Sequence, residues 1–366
     1  MNALVIVFAC FALVGIIDGI TGNHLGLGGE FEKGISLLGT LTLAMLGMLC
    51  LVPLISSALT PVILPLSQFL HLDPSVFSGM LIANDMGGAA LSASLAQNVE
   101  MGAYNGLVVA SMLGATVSFT IPTAIRIIPK ERHPEAMLGI LCGVAAIPVG
   151  CAVSGLVAGI PLIPLLADLI PICLFALIIA LGLIFAPSFS VKALTLFGKL
   201  LYILIMIGLG LGLFGFLTGI TLVEGLSPAR EHFEMLFNLA FLLAGVFPFI
   251  KILSFILKKP LGAVARLWGI NEISALGLLT TLANSTPTLG LVKDMNKKGV
   301  VINLAFAVSA AFALGDHLAF TVMFNADYTL PVVVGKIAGG VAAVVIACVI
   351  YSAREKKAAL AEPEDE

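Results

Sequence analysis

The chain has 366 residues, 60% of them hydrophobic and 11% charged, with a mean hydropathy of +1.14. Average soluble domains are roughly 45 to 50% apolar and about 25% charged, so a single compact interior would not hide this much apolar surface, and the solvent it implies is a bilayer. Eighteen Lys and Arg against 21 Asp and Glu give a net charge of -3, which leaves no basic excess to neutralise phosphates and argues against nucleic acid as a partner.

A spanning helix needs about 20 mostly apolar residues, because the hydrocarbon core is about 30 Å thick and a helix rises about 1.5 Å per residue. On that basis the predicted spans, in chain order, are 2–20, 35–58, 104–125, 135–158, 160–186, 195–222, 233–257, 300–324 and 330–351, nine in all. The first lacks a basic segment before its apolar run and many spans follow it, so it is read as part of the mature fold. The six cysteines lie in these apolar runs without paired spacings and read as small buried hydrophobes.

Two further apolar stretches are punctuated. Asp73-Pro74 offers an N-cap followed by a proline at the first helical position, and Ser75 to Ala83 makes a helix too short to cross. Asn84-Asp85-Met86-Gly87-Gly88 interrupts it, and Ala89 to about Val99 carries the chain back. The second stretch has the same layout: Asn271 as cap, Glu272 to Ala283, a break at Asn284-Ser285-Thr286-Pro287, then Thr288 to Met295. Each reads as a re-entrant hairpin of two half-helices, about 73–99 and about 271–295.

Both breaks begin Ala-Asn, which points to an internal repeat. Gly15 to Thr21 matches Gly215 to Thr221, and Ala83-Asn84 matches Ala283-Asn284, both at an offset of 200. Phe31-Glu32 matches Phe233-Glu234 at 202, and Gly143 to Ala146 with Cys151 matches Gly340 to Ala343 with Cys348 at 197. Basic residues set the orientation, since Lys and Arg gather on the cytoplasmic side. Arg126, Lys130 and Arg132 follow the third span, whereas Lys258, Lys259, Arg266, Lys293, Lys297 and Lys298 surround the second hairpin. The first hairpin therefore enters from outside and the second from the cytoplasm. Lys192, Lys199, Arg354, Lys356 and Lys357 agree, which puts the N-terminus outside and the C-terminus inside.

The expected fold is an all-α polytopic membrane protein, about nine transmembrane helices plus two re-entrant hairpins in two inverted repeats. Repeat 1 covers 1–158, a linker span with its cytoplasmic connection 160–198, repeat 2 199–351, and a cytoplasmic tail 352–366 that ends in acidic residues. Inverted repeats with discontinuous helices are a transporter architecture, with the site near the bilayer midplane where the breaks meet. Backbone groups freed at a break cannot face lipid, so breaks persist where they line a cavity or ligand; the competing role for such hairpins is plain packing.

Several runs carry a family resemblance: Gly29-Glu30-Phe31-Glu32-Lys33-Gly34, Leu43 to Met48, Asp85-Met86-Gly87-Gly88, Thr281-Leu282-Ala283-Asn284, and above all Val301-Ile302-Asn303 through Ala305 to His317. The sequence resembles the ethanolamine-utilisation membrane protein family, bacterial permeases of ethanolamine-degradation operons, nearly end to end. The resemblance implies uptake of ethanolamine across the bacterial cytoplasmic membrane; another small amine or a nucleoside-like solute is the alternative substrate.

Ethanolamine is an ammonium near neutrality if it titrates like lysine, at roughly pH 10, and a desolvated ammonium needs a counter-charge or several oxygens. Intramembrane ionisable groups are functional candidates by default. Asp316, inside the eighth span, and Asp85, in the first break, are the candidate counter-charges. Asp85 has a competing role as N-cap of the returning half-helix, shared with Ser285 at offset 200. Asp316 has a competing role as a structural partner of His317 or an Asn. His317 is a candidate proton-linked partner, and Asn84, Asn284 and Asn303 offer amide oxygens to the cation or its hydroxyl, or hydrogen-bond between helices. Asp18 and Asp168, nearer span ends, are expected to be solvated.

No cofactor or metal is expected, because the five histidines are scattered without i, i+4 pairing. Gly210-Leu211-Gly212-Leu213-Phe214-Gly215 satisfies the dinucleotide fingerprint in letters only, lying inside an apolar span. The rival from another class is an intramembrane aspartyl protease built on Asp85 and Asp316, but Ala313-Leu314-Gly315-Asp316 lacks the first glycine of the usual Gly-x-Gly pattern, and hairpins have no role in that chemistry. The expected partners are ethanolamine and membrane lipid, and a homo-oligomer is compatible with this reading.

Overall fold

The structure, a computed structural model describing residues 3–361, is helical throughout, with no strand among the described residues. The acidic end from 362 onward lies outside them, as do the side chains of Lys258, Lys259 and Lys357 used in the orientation reading.

The chain opens with α1 (Ala3–Ile20) and α2 (Leu27–Leu70), the latter 44 residues long. At about 1.5 Å per residue α2 is roughly twice as long as the hydrocarbon core is thick. It contains a π-helical turn at Thr42–Leu46 and Pro53, Pro61 and Pro65, the features at which long helices bend. Two short helices follow, α3 (Ser75–Leu81) and α4 (Gly88–Leu95), with one 3-10 turn at Asn84–Met86 between them. Next come α5 (Val99–Ile127), largely π-helical, then α6 (His133–Val157), α7 (Leu162–Phe185), α8 (Pro187–Thr218) and α9 (Phe233–Trp268). A second pair of short helices, α10 (Glu272–Ala283) and α11 (Ser285–Leu291), precedes α12 (Lys297–Ala310) and α13 (Asp316–Phe324), and α14 (Thr329–Ala361) ends the described chain.

Eight of these are long and apolar enough to cross a membrane: α1, α2, α5 to α9 and α14. The nine continuous spans of the sequence reading need one correction. The stretch 300–324 is two helices, α12 and α13, with an irregular segment at 311–315. Hydropathy does not register the interruption because Ala311, Phe312, Ala313 and Leu314 are all apolar. The half-helices also end earlier than expected, at Leu81 and Leu95, and the second break is a single residue, Asn284.

Large apolar side chains such as Leu13, Ile17, Ile163, Ile170 and Leu217 face outward on α1, α7 and α8, a surface suited to lipid. Two helix groups pack within: α6 with α12 and α14, and α2 with α1 and α9. Gly139 and Gly143 of α6 sit against Val301, Ala305 and Val308 of α12, and Gly150 against Gly335 and Gly339 of α14, where an added methyl would meet atoms of those helices. In lipid, where apolar burial drives little association, such small-residue approach gains its stability from van der Waals contact.

Candidate functional site

The first break follows from backbone needs. Ile82 turns the chain out of α3 into extended backbone, and Gly87 closes the turn at φ +95, a left-handed conformation suited to glycine. A side chain there would also run into Met48 of α2. The carbonyl of Ala83 accepts from the Met86 and Gly88 amides, and the Ala83 amide donates to Ser118 Oγ of α5 at 3.1 Å. Asn84 is 0% exposed, and neither its Oδ1 nor its Nδ2 has a hydrogen-bond partner in the protein. Asp85 does not take the predicted N-cap role, since α4 starts from Gly87 without a side-chain cap.

At the second break it is Asn284, not Ser285, that caps the returning helix. Its Oδ1 accepts from the Thr286 amide at 2.8 Å, and Ser285 Oγ, one residue into α11, is buried without a partner. The carbonyls of Thr281 and Leu282, freed at the end of α10, accept from the Phe312 and Leu314 amides at 3.0 and 2.8 Å. The 311–315 interruption therefore lies along the end of α10, and Gly315 packs on Ala283. Phe312 stands at φ +60, a left-handed position that costs a non-glycine residue about 1 to 3 kcal/mol. Asn284 also lines an open cleft with Lys33, Phe247, Lys251 and Thr280.

The two breaks are linked by the start of α13, which rests on the Asn84–Met86 turn. His317 is 2% exposed, with Nε2 3.8 Å from Asp85 Oδ1 and Nδ1 3.1 Å from Nζ of Lys336 on α14. Lys336, 0% exposed, also donates to the carbonyl of Ser111 at 2.6 Å. Asp316 Oδ1 is buried without a partner. Of the residues singled out in the sequence, Asn84, Asp85, Asp316 and His317 thus gather on one turn, with Asn284 and Ser285 beside the segment that leads into it.

Asn303 is elsewhere. Its Nδ2 donates to the carbonyls of Ser274 and Gly299, both at 2.9 Å, so it fixes the start of α10, about ten residues or roughly 15 Å along the helix from the break. Lys336 is the residue that sequence reasoning passes over, because a search for the counter-charge of a cation looks for acids. Its signal is nevertheless present: a lone lysine inside the predicted 330–351 span.

Two expectations about solvated acids are corrected. Asp18 is 6% exposed and accepts from the amides of Leu25, Leu27 and Gly28 at 3.0, 2.7 and 3.3 Å, tying down the start of α2. Asp168 is 2% exposed and accepts from Asn105 Nδ2 at 2.7 Å, which also donates to Ser75 Oγ at 3.0 Å. Neighbours hold both carboxylates.

The far ends of the short-helix pairs are anchored alike. Asp73 accepts from the Ser75, Gln97 and Asn98 amides, and Asn271 accepts from the Ser274 amide and donates to the Asp294 carbonyl. Asn98 caps α5 through the Glu100 amide, and Asn296 caps α12 through the Gly299 amide. Between the halves, Ser78 and Ser92 hydroxyls pair at 2.7 Å, and Thr281 donates to Thr288 at 3.0 Å.

Buried polar atoms left without partners cost about 1 to 3 kcal/mol each. Asn84, Ser285 and Asp316 carry such atoms beside the two breaks, with oxygens able to accept from an ammonium or a hydroxyl, and Asn105, Glu135, Asn303 and Ser309 carry others elsewhere among the described residues.

Comparison with known proteins gives a consistent family. The model described as "Ethanolamine utilisation protein, EutH" matches residues 1–350. A protein of Listeria monocytogenes serotype 1/2a (strain 10403S) named "Probable ethanolamine permease EutH" is 43% identical over 358 residues, 98% of this chain and 96% of its own. One of the same name from Escherichia coli (strain K12) is 38% identical over 93% of this chain and 89% of its own. "Uncharacterized protein YxeR" of Bacillus subtilis (strain 168) is 36% identical over 97% and 96%. No solved structure matches.

Proposed function

The chain belongs to the ethanolamine utilisation protein EutH family, and on that footing we propose that it carries ethanolamine, as its ammonium ion, across the bacterial inner membrane by alternating access at a site between the two helix breaks. The observation that carries this reading is the set of buried, unpartnered polar atoms on Asn84, Ser285 and Asp316. In this reading Asp316 supplies the counter-charge, Asp85 and His317 complete the polar wall, Asn84 and Ser285 receive the hydroxyl and the remaining ammonium hydrogens, and Asn284 holds the second break as its cap. Asn303 supports the second hairpin. No covalent step is involved, so the chain is a carrier and not a protease.

The finer architecture we propose is two inverted repeats, 1–158 and 199–351, joined by a linker at 160–198, each repeat contributing one re-entrant hairpin. What supports it is an equivalence of hydrogen bonds that sequence identity only hinted at. Asp73 and Asn271 stand 198 apart (271 - 73) and both accept from a serine amide, that of Ser75 or Ser274. Asn98 and Asn296, again 198 apart, cap the following helix, and Asn105 and Asn303, at the same offset, donate to Ser75 Oγ and Ser274 O. Phe119 and Phe312, one from each of these repeats, are in edge contact at 5.8 Å. With α12 and α13 counted as one broken crossing, nine crossings leave the N-terminus outside and the C-terminus cytoplasmic, with lipid against α1, α7 and α8.

The test is counterflow in proteoliposomes preloaded with unlabelled ethanolamine. Labelled ethanolamine should transiently accumulate inside without any imposed gradient. Label entry no faster than in protein-free vesicles would overturn the reading.

A further inference from the structure

A buried lysine is a strange resident for a site meant to bind a cation. Lys336 Nζ faces two acceptors, the Ser111 carbonyl and His317 Nδ1. With Lys336 as an ammonium, which can only donate, Nδ1 is the acceptor and the single imidazole proton lies on Nε2, toward Asp85. The titratable or charged groups facing this centre are Asp85 from the first break, Asp316 and His317 from α13, Lys336 from α14, Cys151 from α6 and Lys33 from α2, with Lys33 already paired to Glu30 at 3.4 Å. The ionisable side chains at this centre are thus two acids, Asp85 and Asp316, each partly exposed, and one fully buried amine, Lys336.

We propose that Lys336 is a resident ammonium that permanently balances one of the two carboxylates, so that the other, Asp316, is occupied in turn by the substrate's ammonium and by a proton, and each ethanolammonium that enters is exchanged for one proton. This rests on the reading of the site as an ammonium carrier. The reasoning is charge balance in lipid, where an unpaired buried ion is costly. With substrate bound, Asp85, Asp316, Lys336 and the substrate sum to zero. With substrate gone the sum is -1, and the empty site returns to neutrality only when an O–H bond forms on Asp316, with the proton drawn from the side to which substrate was released. On the far side that O–H bond breaks as the next ammonium arrives and the proton leaves to water. Asp316 is the exchanging acid because its Oδ1 has no protein partner, whereas Asp85 faces the His317–Lys336 chain. Both states that cross are neutral, so transport moves no net charge.

Counterflow first establishes transport; its failure sinks the carrier reading and not this inference alone. Given counterflow, the initial uptake rate above protein-free vesicles should rise when the interior is one pH unit more acidic than the outside. It should not change under an inside-negative potential of about 59 mV, which for a cation uniporter would give tenfold accumulation. Calorimetry of ethanolamine binding to the purified protein in buffers of different ionisation enthalpy should count one proton released per molecule bound, and none for Asp316→Asn. Lys336→Met leaves both carboxylates to be balanced, so Asp85 must also hold a proton. The ratio of uptake at pH 8 to uptake at pH 6, above one in the native protein, should then fall below one. Potential-driven accumulation, zero protons released on binding, or a pH ratio that Lys336→Met does not move would each overturn the proposal. If Lys336→Met does not fold, the measurements on the native protein still decide it.

Discussion

The two helix breaks solve the same backbone problem in different ways. The first spans several residues, satisfies its peptide groups within its own turn and from Ser118, and leaves a wholly buried Asn84 side chain idle next to Asp85. The second is one residue long, capped by its own Asn284 side chain, with its loose carbonyls taken by the interrupted segment 311–315. Where the side chain is already employed, the break is a structural joint. Where it is free, the break has capacity left for a ligand. On the proposed function, this difference gives the binding work mainly to the first break and to Asp316, and leaves the second break Ser285 Oγ as its one free polar group.

The largest expected effect concerns sidedness and is all-or-none. Single cysteines at the exposed positions Gln97 and Lys293, beside the far ends of the first and second short-helix pairs, should label in a cysteine-free background only from outside and only from the cytoplasm, respectively. Labelling of both from one face would remove the inverted repeat. Next in size is Asp316→Asn. An amide is easier to place in lipid than an ionised acid, so membrane abundance should hold. Loss of the partner of a desolvated ion typically costs about 3 to 5 kcal/mol, and about 1.4 kcal/mol is already tenfold. Uptake should fall at least about tenfold; full uptake at equal abundance would move the counter-charge to Asp85.

Asn84→Ala separates binding from folding. Its polar atoms have no partner in the protein, so truncation removes an uncompensated buried group and the thermal midpoint of the ligand-free protein should stay level or rise. Affinity should nonetheless drop, with the half-saturating concentration up by roughly five- to tenfold for one lost hydrogen bond to the substrate hydroxyl, about 1 to 1.5 kcal/mol. A normal saturation curve would make the first break a packing element only.

Much of this was legible in the sequence because membranes make the rules strict. Apolar length marked the long helices, and Asp73-Pro74, Asn271 and the paired Ala-Asn marked where the two pairs of short helices start and break, since caps and prolines act locally. The interruption at 311–315 was hidden because it is made by Phe312 adopting a left-handed backbone and by pairing with Thr281 and Leu282, a tertiary arrangement no apolar run betrays. Asp168 was misjudged for a similar reason: its partner Asn105 lies 63 residues away. Lys336 was visible as a lone charge in a span, but its pairing with His317 needed the packing of α14 on α13.

The smallest expected effect sharpens the comparison from the other side. Asn284 accepts from the Thr286 amide, so Asn284→Ala removes an N-cap, a loss that typically costs about 0.5 to 2 kcal/mol. The helix it starts is only seven residues long and has no other side-chain cap, so the loss should appear as a lowered thermal midpoint. Asn284→Asp should restore stability, because aspartate caps as well as asparagine and its charge suits the N-terminal end of α11. If the second break is a joint, the half-saturating concentration for ethanolamine should change less than about threefold in Asn284→Ala, well below the change in Asn84→Ala. Binding and thermal-melt measurements on the two alanine variants therefore form a crossed pair: one loses affinity and keeps stability, the other loses stability and keeps most of its affinity. Equal affinity losses at the two positions would mean that both breaks grip the substrate, and the division of labour between them would not stand.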